Sequence, residues 1–488
     1  MRILYYDIDT LRPDHLGCYG YHRDTSPNID RVAREGTTFT NFYASDAPCL
    51  PSRAALFLGR HGIHTGVVDH GGTSADPYIV GPRRPFRLGP RHDTWTMALR
   101  RCGLYTASVS PYAERHSAWW FYHGFREMHN PGKGGAERAD EVVPTALEWL
   151  DRHGADDDWF LHVNVWDPHT PYRTPAEFGN PFEGQPLPDW MDEERIRRDR
   201  LGFGPHSARE PQGFGPGNGR FPLPDEIEGL DNFRTWIDGY DRGIRYADHH
   251  LGMILEALER QGILHETAVI ISSDHAENQG ELNVYGDHQT ADHVTSRVPL
   301  IVRWPGKTGG RVNRDLHYNL DLAPTIVRML GGDPPPLWDG RSFGPALDGA
   351  EGTGRGFLVV SQCAWSCQRS VRFGPWIVIR TYHTGMKDFP PVMLFNLEDD
   401  PHETRDLAEE KPDVVDRGLA LLERWQADMM ATSESRIDPL WTTMDEGGPY
   451  HTRGQLEPYC RRLRETGRAQ HAEWLEQTDG GYLVGRRS

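Results

Sequence analysis

The stretch that decides the fold is Ile3-Leu4-Tyr5-Tyr6-Asp7-Ile8-Asp9, an apolar run that ends in acids near the start of the 488-residue chain. Such a run predicts a buried strand. Further strands are predicted at Trp159–Val165 and Thr267–Ser273, with helices at Asp140–Arg152 and Asn232–Gln261. Because strands alternate with helices, we expect an α/β fold in which a large, mainly parallel sheet is covered by helices on both faces.

The pattern changes after about residue 350, where a smaller α+β unit is predicted. Its elements are three short strands and a helix, at Gly356–Ser361, Trp376–Thr381, Met393–Leu397 and Pro412–Met430. The expected division is a catalytic α/β domain over 1–350, a C-terminal α+β subdomain over 351–432 and a tail over 433–488 that wraps the body. Asn180–Pro224, rich in Gly, Pro and charge, is predicted to be a long surface excursion.

Composition limits the classes of partner. The formal net charge is −18, which favours solubility and argues against nucleic acid or an anionic membrane as a partner. Any anion site must then be locally basic, built from a few Arg, His or metal charges. Six cysteines are too sparse for a disulfide framework. No signal peptide or run of about 18 apolar residues is visible, so we expect a cytoplasmic protein, with a trimmed chain as the alternative.

Charged residues follow three predicted strands directly, at Asp7-Ile8-Asp9-Thr10, Asp167-Pro168-His169 and Asp274-His275. Ligands of α/β sheets bind beyond the carboxyl ends of the strands, so these clusters point to one site. Asp9 is nearer its strand end and is the better metal ligand, whereas Asp7 could be a buried acid that supports it. Asp274 and His275 would add a carboxylate and a ring nitrogen, although Asp274 could simply cap a helix. Oxygen-rich ligation with one His suits Ca²⁺ or Mg²⁺ and tolerates Mn²⁺.

The run Cys49-Leu50-Pro51-Ser52-Arg53 carries the chemistry. Taken alone, a Cys before a helix is usually a small buried hydrophobe. The pentapeptide, however, resembles the Cys-x-Pro-Ser-Arg signature of the type I sulfatase family, whose Cys is oxidised after translation to formylglycine. Similar family landmarks are found along the chain to about residue 410. They include Asp9-Thr10-Leu11-Arg12-Pro13-Asp14-His15, Pro168-His169-Thr170-Pro171-Tyr172 and Pro299-Leu300-Ile301-Val302-Arg303-Trp304-Pro305-Gly306.

The resemblance implies an alkaline-phosphatase-like fold with a large mixed sheet. It also implies that the protein is an enzyme, a sulfuric ester hydrolase. A hydrated formylglycine carries two hydroxyls: one attacks sulfur, and the second loses its proton so that sulfate is expelled and the aldehyde returns. The implied metal residues are Asp9, Cys49 as formylglycine, Asp274, His275 and Thr10, the last standing where many members carry a second Asp. The implied cofactor is a divalent cation, Ca²⁺ before Mg²⁺ or Mn²⁺. The implied partners are a small-molecule or oligosaccharide sulfate ester and, during maturation, a formylglycine-generating enzyme.

The implied catalytic residues are Cys49, Arg53, His169, His288 and His116. Arg53 lies four residues after Cys49, on the same helix face, and would hold the developing negative charge. His169 is the candidate acid or sulfate-binding group. The family's Lys-x-His pair is replaced here by a segment that ends in Arg115-His116, and a later family Lys by Asp287 before His288. His288 is therefore the candidate cation beside the sulfate, with His293 a weaker one, and the general base stays open between His116 and another His.

Two other residue clusters each have two interpretations, and the same site has a second candidate reaction. Trp119-Trp120-Phe121-Tyr122 could stack on a sugar or belong to the core. The arginines Arg461, Arg462, Arg464 and Arg468 could reach an anionic substrate or form a solvated helix face. The alternative activity is hydrolysis of a phosphonate monoester or phosphodiester by the same formylglycine site. The alcohol that is released is not identified by the sequence.

Overall fold

A computed structural model describes residues 1–78, 93–135, 137–217 and 219–484. The last four residues of the predicted tail lie outside this range. Within it, no helix combines the length and the apolar character needed to cross a membrane.

The central sheet is mixed and mainly parallel. The strands of the described residues are β1 (Arg2–Ile8), β2 (Thr37–Tyr43), β3 (Asp46–Ala47), β4 (Tyr105–Val109), β5 (Glu127–His129), β6 (Trp159–Val165), β7 (Thr267–Ser272), β8 (Asn278–Gln279), β9 (Tyr285–Asp287), β10 (Arg297–Arg303), β11 (Arg311–Asn313), β12 (His317–Tyr318), β13 (Phe357–Gln362), β14 (Cys367–Phe373), β15 (Trp376–His383) and β16 (Val392–Asn396). The order in the central sheet is β11-β2-β10-β7-β1-β6-β4-β5, with β12 also paired to β2. Strand β1 is parallel to both its neighbours, whereas β10 is antiparallel to β7 and β2.

Helices cover both faces of this sheet. The helices are α1 (Pro27–Glu35), α2 (Cys49–Leu58), α3 (Gly62–Thr65), α4 (Trp95–Arg101), α5 (Tyr112–Arg115), α6 (Ala139–His153), α7 (Glu193–Asp199), α8 (Leu230–Arg260), α9 (His293–Ser296), α10 (Leu322–Met329), α11 (Pro412–Thr432), α12 (Pro439–Asp445), α13 (Leu456–Glu465) and α14 (Ala469–Gln477). Side chains of a strand alternate between faces. In β1, Leu4 and Tyr6 pack with α6 and α8, whereas Ile3 and Tyr5 pack with α2, α4 and α10. The predicted α/β class with a sandwiched, mainly parallel sheet is thus confirmed.

A second sheet, in the order β16-β15-β14-β13-β3, is formed mainly by C-terminal strands. Helix α11 packs on it through Leu422 and Trp425. Because β3 comes from residues 46–47 and pairs with β13, the sheet is tied to the segment that leads into α2. The predicted smaller α+β unit is therefore present, while the proposed division at residues 350 and 432 stays a prediction.

Two segments are more structured than the sequence indicated. Helix α7 lies inside the predicted excursion 180–224, where Ile196, Phe203 and Glu210 are buried. The predicted tail contains helices α12, α13 and α14, and its Tyr459 and Leu463 pack against Phe203 of the excursion. The excursion and the tail thus stabilise each other.

Candidate active site

The carboxyl ends of β1, β6 and β7 bring the predicted acids together. The backbone N–H of Asp9 donates to the carbonyl of Val165 at 3.0 Å, which places it just past the ends of β1 and β6. The backbone N–H of Thr10 donates to Oδ1 of Asp274 at 3.3 Å, so the turn after β1 touches the turn after β7. Helix α2 starts beside them with Cys49, which is 1% exposed.

Arg53 connects three buried carboxylates. Its Nε lies 3.0 Å from Asp7 Oδ2, and its terminal nitrogen Nη1 lies 3.0 Å from Asp9 Oδ2 and also contacts Asp274. Burial opposes the charge of Arg53, but the three carboxylates outweigh it and raise the pKa of the guanidinium well above its usual value. Arg53 is therefore a fixed cation at the base of the site.

One guanidinium facing three carboxylates leaves two negative charges that the described residues do not balance by ion pairing. Both oxygens of Asp9 are buried and accept no hydrogen bond from the described residues. Burial and the Asp274 carboxylate raise the pKa of Asp9 well above its usual value, so its charge is poorly compensated. A divalent cation would supply the missing charge. One ligand atom from each of Asp9, Cys49, Asp274 and His275 lies within 4.8 Å of the others, so the donors fit such an ion.

His275 is oriented as a ligand. Its Nδ1 lies 2.9 Å from the carbonyl oxygen of Ala276, which can only accept, so Nδ1 carries the proton. The lone pair on Nε2 then points to Cys49 Sγ at 3.0 Å and to Asp274 Oδ2 at 3.3 Å. A backbone carbonyl that fixes the tautomer in this way is the usual support of a metal-bound His.

Asp7 and Thr10, the two candidates for completing the metal set, differ in their surroundings. Asp7 is held by Arg53 and lies 3.3 Å from Nε2 of His162. Burial works against its ionisation, but the Arg53 guanidinium and His162 outweigh it and lower the pKa of Asp7. The Thr10 hydroxyl is buried without a hydrogen-bond partner among the described residues, and its backbone adopts φ 55° beside Asp274. Asp7 therefore anchors Arg53 through Oδ2, while Asp7 Oδ1 and the Thr10 hydroxyl are both buried without a hydrogen-bond partner among the described residues.

His169 and His288 form a second group around Cys49, in which the His288 ring centroid lies 4.2 Å from that of His275. One ring nitrogen of each and the Cys49 sulfur lie within 4.8 Å of one another. His169 donates from Nδ1 to the Thr170 carbonyl at 2.6 Å and stacks on Trp166. Burial, and next the Arg115 guanidinium, hold the pKa of His169 well below its usual value, so it is neutral before an anion binds. Burial and His275 do the same to the pKa of His288.

These residues open into one cavity of about 870 Å³, with Cys49 at its base. The predicted His116, His169 and His288 all line it. Sequence reasoning missed other wall residues, among them His70, His206, Trp365 and His451. They come from separate segments with no local motif, so only the fold brings them together.

Other sequence candidates lie elsewhere. His293 is hydrogen-bonded to the Tyr43 hydroxyl at 2.8 Å and does not line the cavity. Of the aromatic cluster, Trp120 and Phe121 belong to the core, whereas Trp119 is 39% exposed and lines the cavity. The C-terminal arginines pair with acids: Arg462 and Arg468 with buried Glu210, Arg464 with Glu476 and Arg461 with Glu457.

Comparison with known proteins agrees with this geometry. The sulfatase family model matches residues 3–332, and the model for the C-terminal part of N-sulphoglucosamine sulphohydrolase matches residues 280–419. A choline-sulfatase of Rhizobium meliloti is 26% identical over 445 residues, covering 80% of this chain and 79% of the relative. The structure of BT4656 in complex with its substrate D-glucosamine-2-N,6-O-disulfate superposes with a TM-score of 0.70 at 18% identity, covering 88% of this chain and 98% of that one. Phosphonate monoester hydrolase from Silicibacter pomeroyi gives 0.66 at 20% identity, with 90% and 96% covered.

Proposed function

The chain belongs to the sulfatase family and is a sulfatase, and we propose that it cleaves a sulfate monoester of a sugar or aryl alcohol through a formylglycine made from Cys49. The observation that carries the proposal is the position of Cys49 within 4.8 Å of Asp9, Asp274 and His275, at the base of the large cavity. The thiol itself is unsuited to the reaction, because burial and the carboxylates of Asp9 and Asp274 raise its pKa well above the usual value.

Asp9, Asp274 and His275 would hold the divalent cation, with Thr10 adjacent, and Ca²⁺ is the ion that we propose for this set. When bound, the ion would supply positive charge that activates a hydroxyl and neutralises the sulfate. The hydrated aldehyde at position 49 would supply the attacking hydroxyl and a second hydroxyl whose deprotonation releases sulfate. Maturation by a formylglycine-generating enzyme is part of this proposal.

The side chains around Cys49 have separate tasks. Arg53, fixed by three carboxylates, stabilises negative charge at position 49. His169 transfers a proton to the ester oxygen as the alcohol leaves, since its ring borders both Cys49 and the cavity. His288 supports the sulfate oxygens. Both imidazoles are neutral in the empty site, and a bound sulfate monoanion would favour their protonation.

The second candidate function is hydrolysis of a phosphonate monoester or phosphodiester. Its support is the fold shared with phosphonate monoester hydrolases, as in the structure from Silicibacter pomeroyi. The test compares kcat/KM of the matured protein on 4-nitrocatechol sulfate and on phenyl phenylphosphonate. A higher value for the sulfate ester supports the proposal, and a higher value for the phosphonate overturns it. The Cys49→Ala variant, which cannot mature, is the control for both substrates.

A further inference from the structure

One part of the cavity wall is formed by Trp365 and His451, two residues that lie far from Cys49 in the sequence. The two rings stack with centroids 4.4 Å apart and planes at 18°. The backbone N–H of His451 donates to the Ala364 carbonyl at 3.1 Å, and its Nε2 lies 2.9 Å from Nδ1 of His70. Three distant segments thus fix this wall, which has no assigned part in the chemistry at sulfur.

The segment that carries His451 is held in place by hydrogen bonds and an ion pair with Asp69. The buried Asp69 accepts from the Tyr450 backbone N–H at 3.3 Å and pairs with the Arg453 guanidinium at 2.9 Å. Gly71 gives the Tyr450 ring its room, because a Cβ at that glycine would lie 2.1 Å from the ring. The segment is therefore built against the loop that follows α3.

Several nitrogens of the cavity wall have no hydrogen-bond partner within the part of the chain that the structure describes. His70 Nε2, His116 Nε2 and His206 Nδ1 are buried and form no hydrogen bond with the described residues. Burial lowers the pKa of His451 to about 4, so this ring is neutral at physiological pH. Burial also lowers the pKa of His70 and of His116, and a neutral imidazole offers one donor and one acceptor, which matches hydroxyl groups of a ligand. Buried polar groups of this kind require a hydrogen-bonding ligand or solvent.

The remaining wall combines aromatic surface with little net charge. Trp119 and Tyr450 are 39% and 47% exposed at the cavity, and add to the face of Trp365. The lining contains the cation Arg115 and the acids Asp76 and Asp287. A second anionic group on the substrate would therefore meet no excess of positive charge. Aromatic faces beside neutral hydrogen-bonding groups instead suit the apolar face and the hydroxyls of a sugar ring.

We propose that Trp365, His451 and Trp119 form the leaving-group subsite, and that this subsite takes a neutral pyranose ring with free hydroxyls. The inference rests on the proposed function, since it names the alcohol released by that same site. Trp365 and His451 act here by binding the alcohol and take no part in the chemistry at sulfur.

The test measures kcat/KM on the 6-sulfates of glucose, galactose and N-acetylglucosamine, and on 4-nitrocatechol sulfate as an aryl reference. For Trp365→Ala and His451→Ala, the ratio of sugar to aryl kcat/KM is expected to fall at least tenfold. The matched control is Trp190→Ala, which removes a ring stacked on His402 at 4.4 Å and 12°, outside the cavity. Its ratio is expected to stay within twofold of the wild type.

The outcomes separate this inference from the proposed function. An unchanged ratio in both alanine variants, or turnover of the aryl sulfate with no pyranose sulfate accepted, overturns the leaving-group subsite alone. Turnover of none of the sulfates by matured protein overturns the proposed function. If the alanine variants do not fold, Trp365→Phe and His451→Gln are measured instead, together with product inhibition of the wild type by the free sugars. Absence of both inhibition and a changed ratio then refutes the inference.

Discussion

Replacing Asp9 by Asn should stabilise the metal-free protein and abolish its response to Ca²⁺. Asp9 is 0% exposed, neither of its oxygens accepts a hydrogen bond from the described residues, and it shares Arg53 with Asp7 and Asp274. Because Arg53 compensates the charge of Asp9 only in part, the neutral amide should raise the free energy of unfolding by about 1–3 kcal/mol without metal. A purely structural acid would show the opposite sign.

Ca²⁺ should stabilise the wild type more than it stabilises Asp9→Asn. A ligand at 100 times its Kd stabilises the folded state by about 2.7 kcal/mol. The wild type should gain that amount when Ca²⁺ replaces EDTA, whereas Asp9→Asn should gain less than about 0.5 kcal/mol because a ligand is lost. Urea unfolding followed by tryptophan fluorescence, with EDTA and with excess Ca²⁺, measures both quantities.

The matched control is Asp248→Asn, a change of a buried carboxylate outside the site. Asp248 accepts hydrogen bonds from the backbone N–H groups of Asn28 and Ile29, so its replacement should leave the Ca²⁺ response intact. A destabilised Asp9→Asn that keeps the full Ca²⁺ response would refute the assignment of Asp9 to the metal.

Three further perturbations test other parts of the structure. Burial lowers the pKa of Lys387 to about 7, against 10.5 for the free side chain, so the unfolded state binds more protons between these values. Wild-type stability should therefore fall from pH 10 to pH 7 by about 3–4 kcal/mol relative to Lys387→Met, and an equal pH dependence of the two proteins in urea unfolding would contradict this. His169→Gln should lower kcat on alkyl sulfates by about 10²–10⁴-fold and on 4-nitrocatechol sulfate far less, because a good leaving group needs no proton; equal losses would exclude the acid role. Asp438→Ala leaves the buried Arg369 guanidinium without its carboxylate at 2.6 Å and should cost about 3–5 kcal/mol in chemical denaturation, while a loss under 1 kcal/mol would show the pair to be dispensable.

The sequence predicted β1, β6 and β7 of the central sheet because they are long apolar runs, whereas β5, β11 and β12 have two or three residues each and were not predicted. Strand β6 has the predicted bounds, and helix α6 extends one residue beyond its predicted bounds at each end. Strand β14 was missed, although all seven of its residues are buried. Its Gln368, Arg369 and Ser370 read as surface residues, and only the tertiary partner Asp438 explains how Arg369 is tolerated inside. Patterning detects apolar burial and not burial compensated by a distant acid.

The site residues likewise fall into those that the sequence predicts and those that only the fold brings together. Asp9, Cys49, Asp274 and His275 lie in short local motifs at strand and helix ends, and the structure brings them together. Their catalytic and metal-binding roles stay predictions. The wall formed by His70, His206, Trp365 and His451 depends on the packing of the excursion and the C-terminal segment against the body, so no local spacing indicates it. The sequence thus points to the reaction at sulfur, and the fold is needed to infer the alcohol.

Mass spectrometry of the peptide that contains Cys49, run beside activity on the same sample, tests the formylglycine mechanism. Protein coexpressed with a formylglycine-generating enzyme should carry an aldehyde or its hydrate in place of the CH₂SH group, and sulfatase activity should rise in proportion to the converted fraction. Fully active protein in which Cys49 retains its thiol would contradict the mechanism.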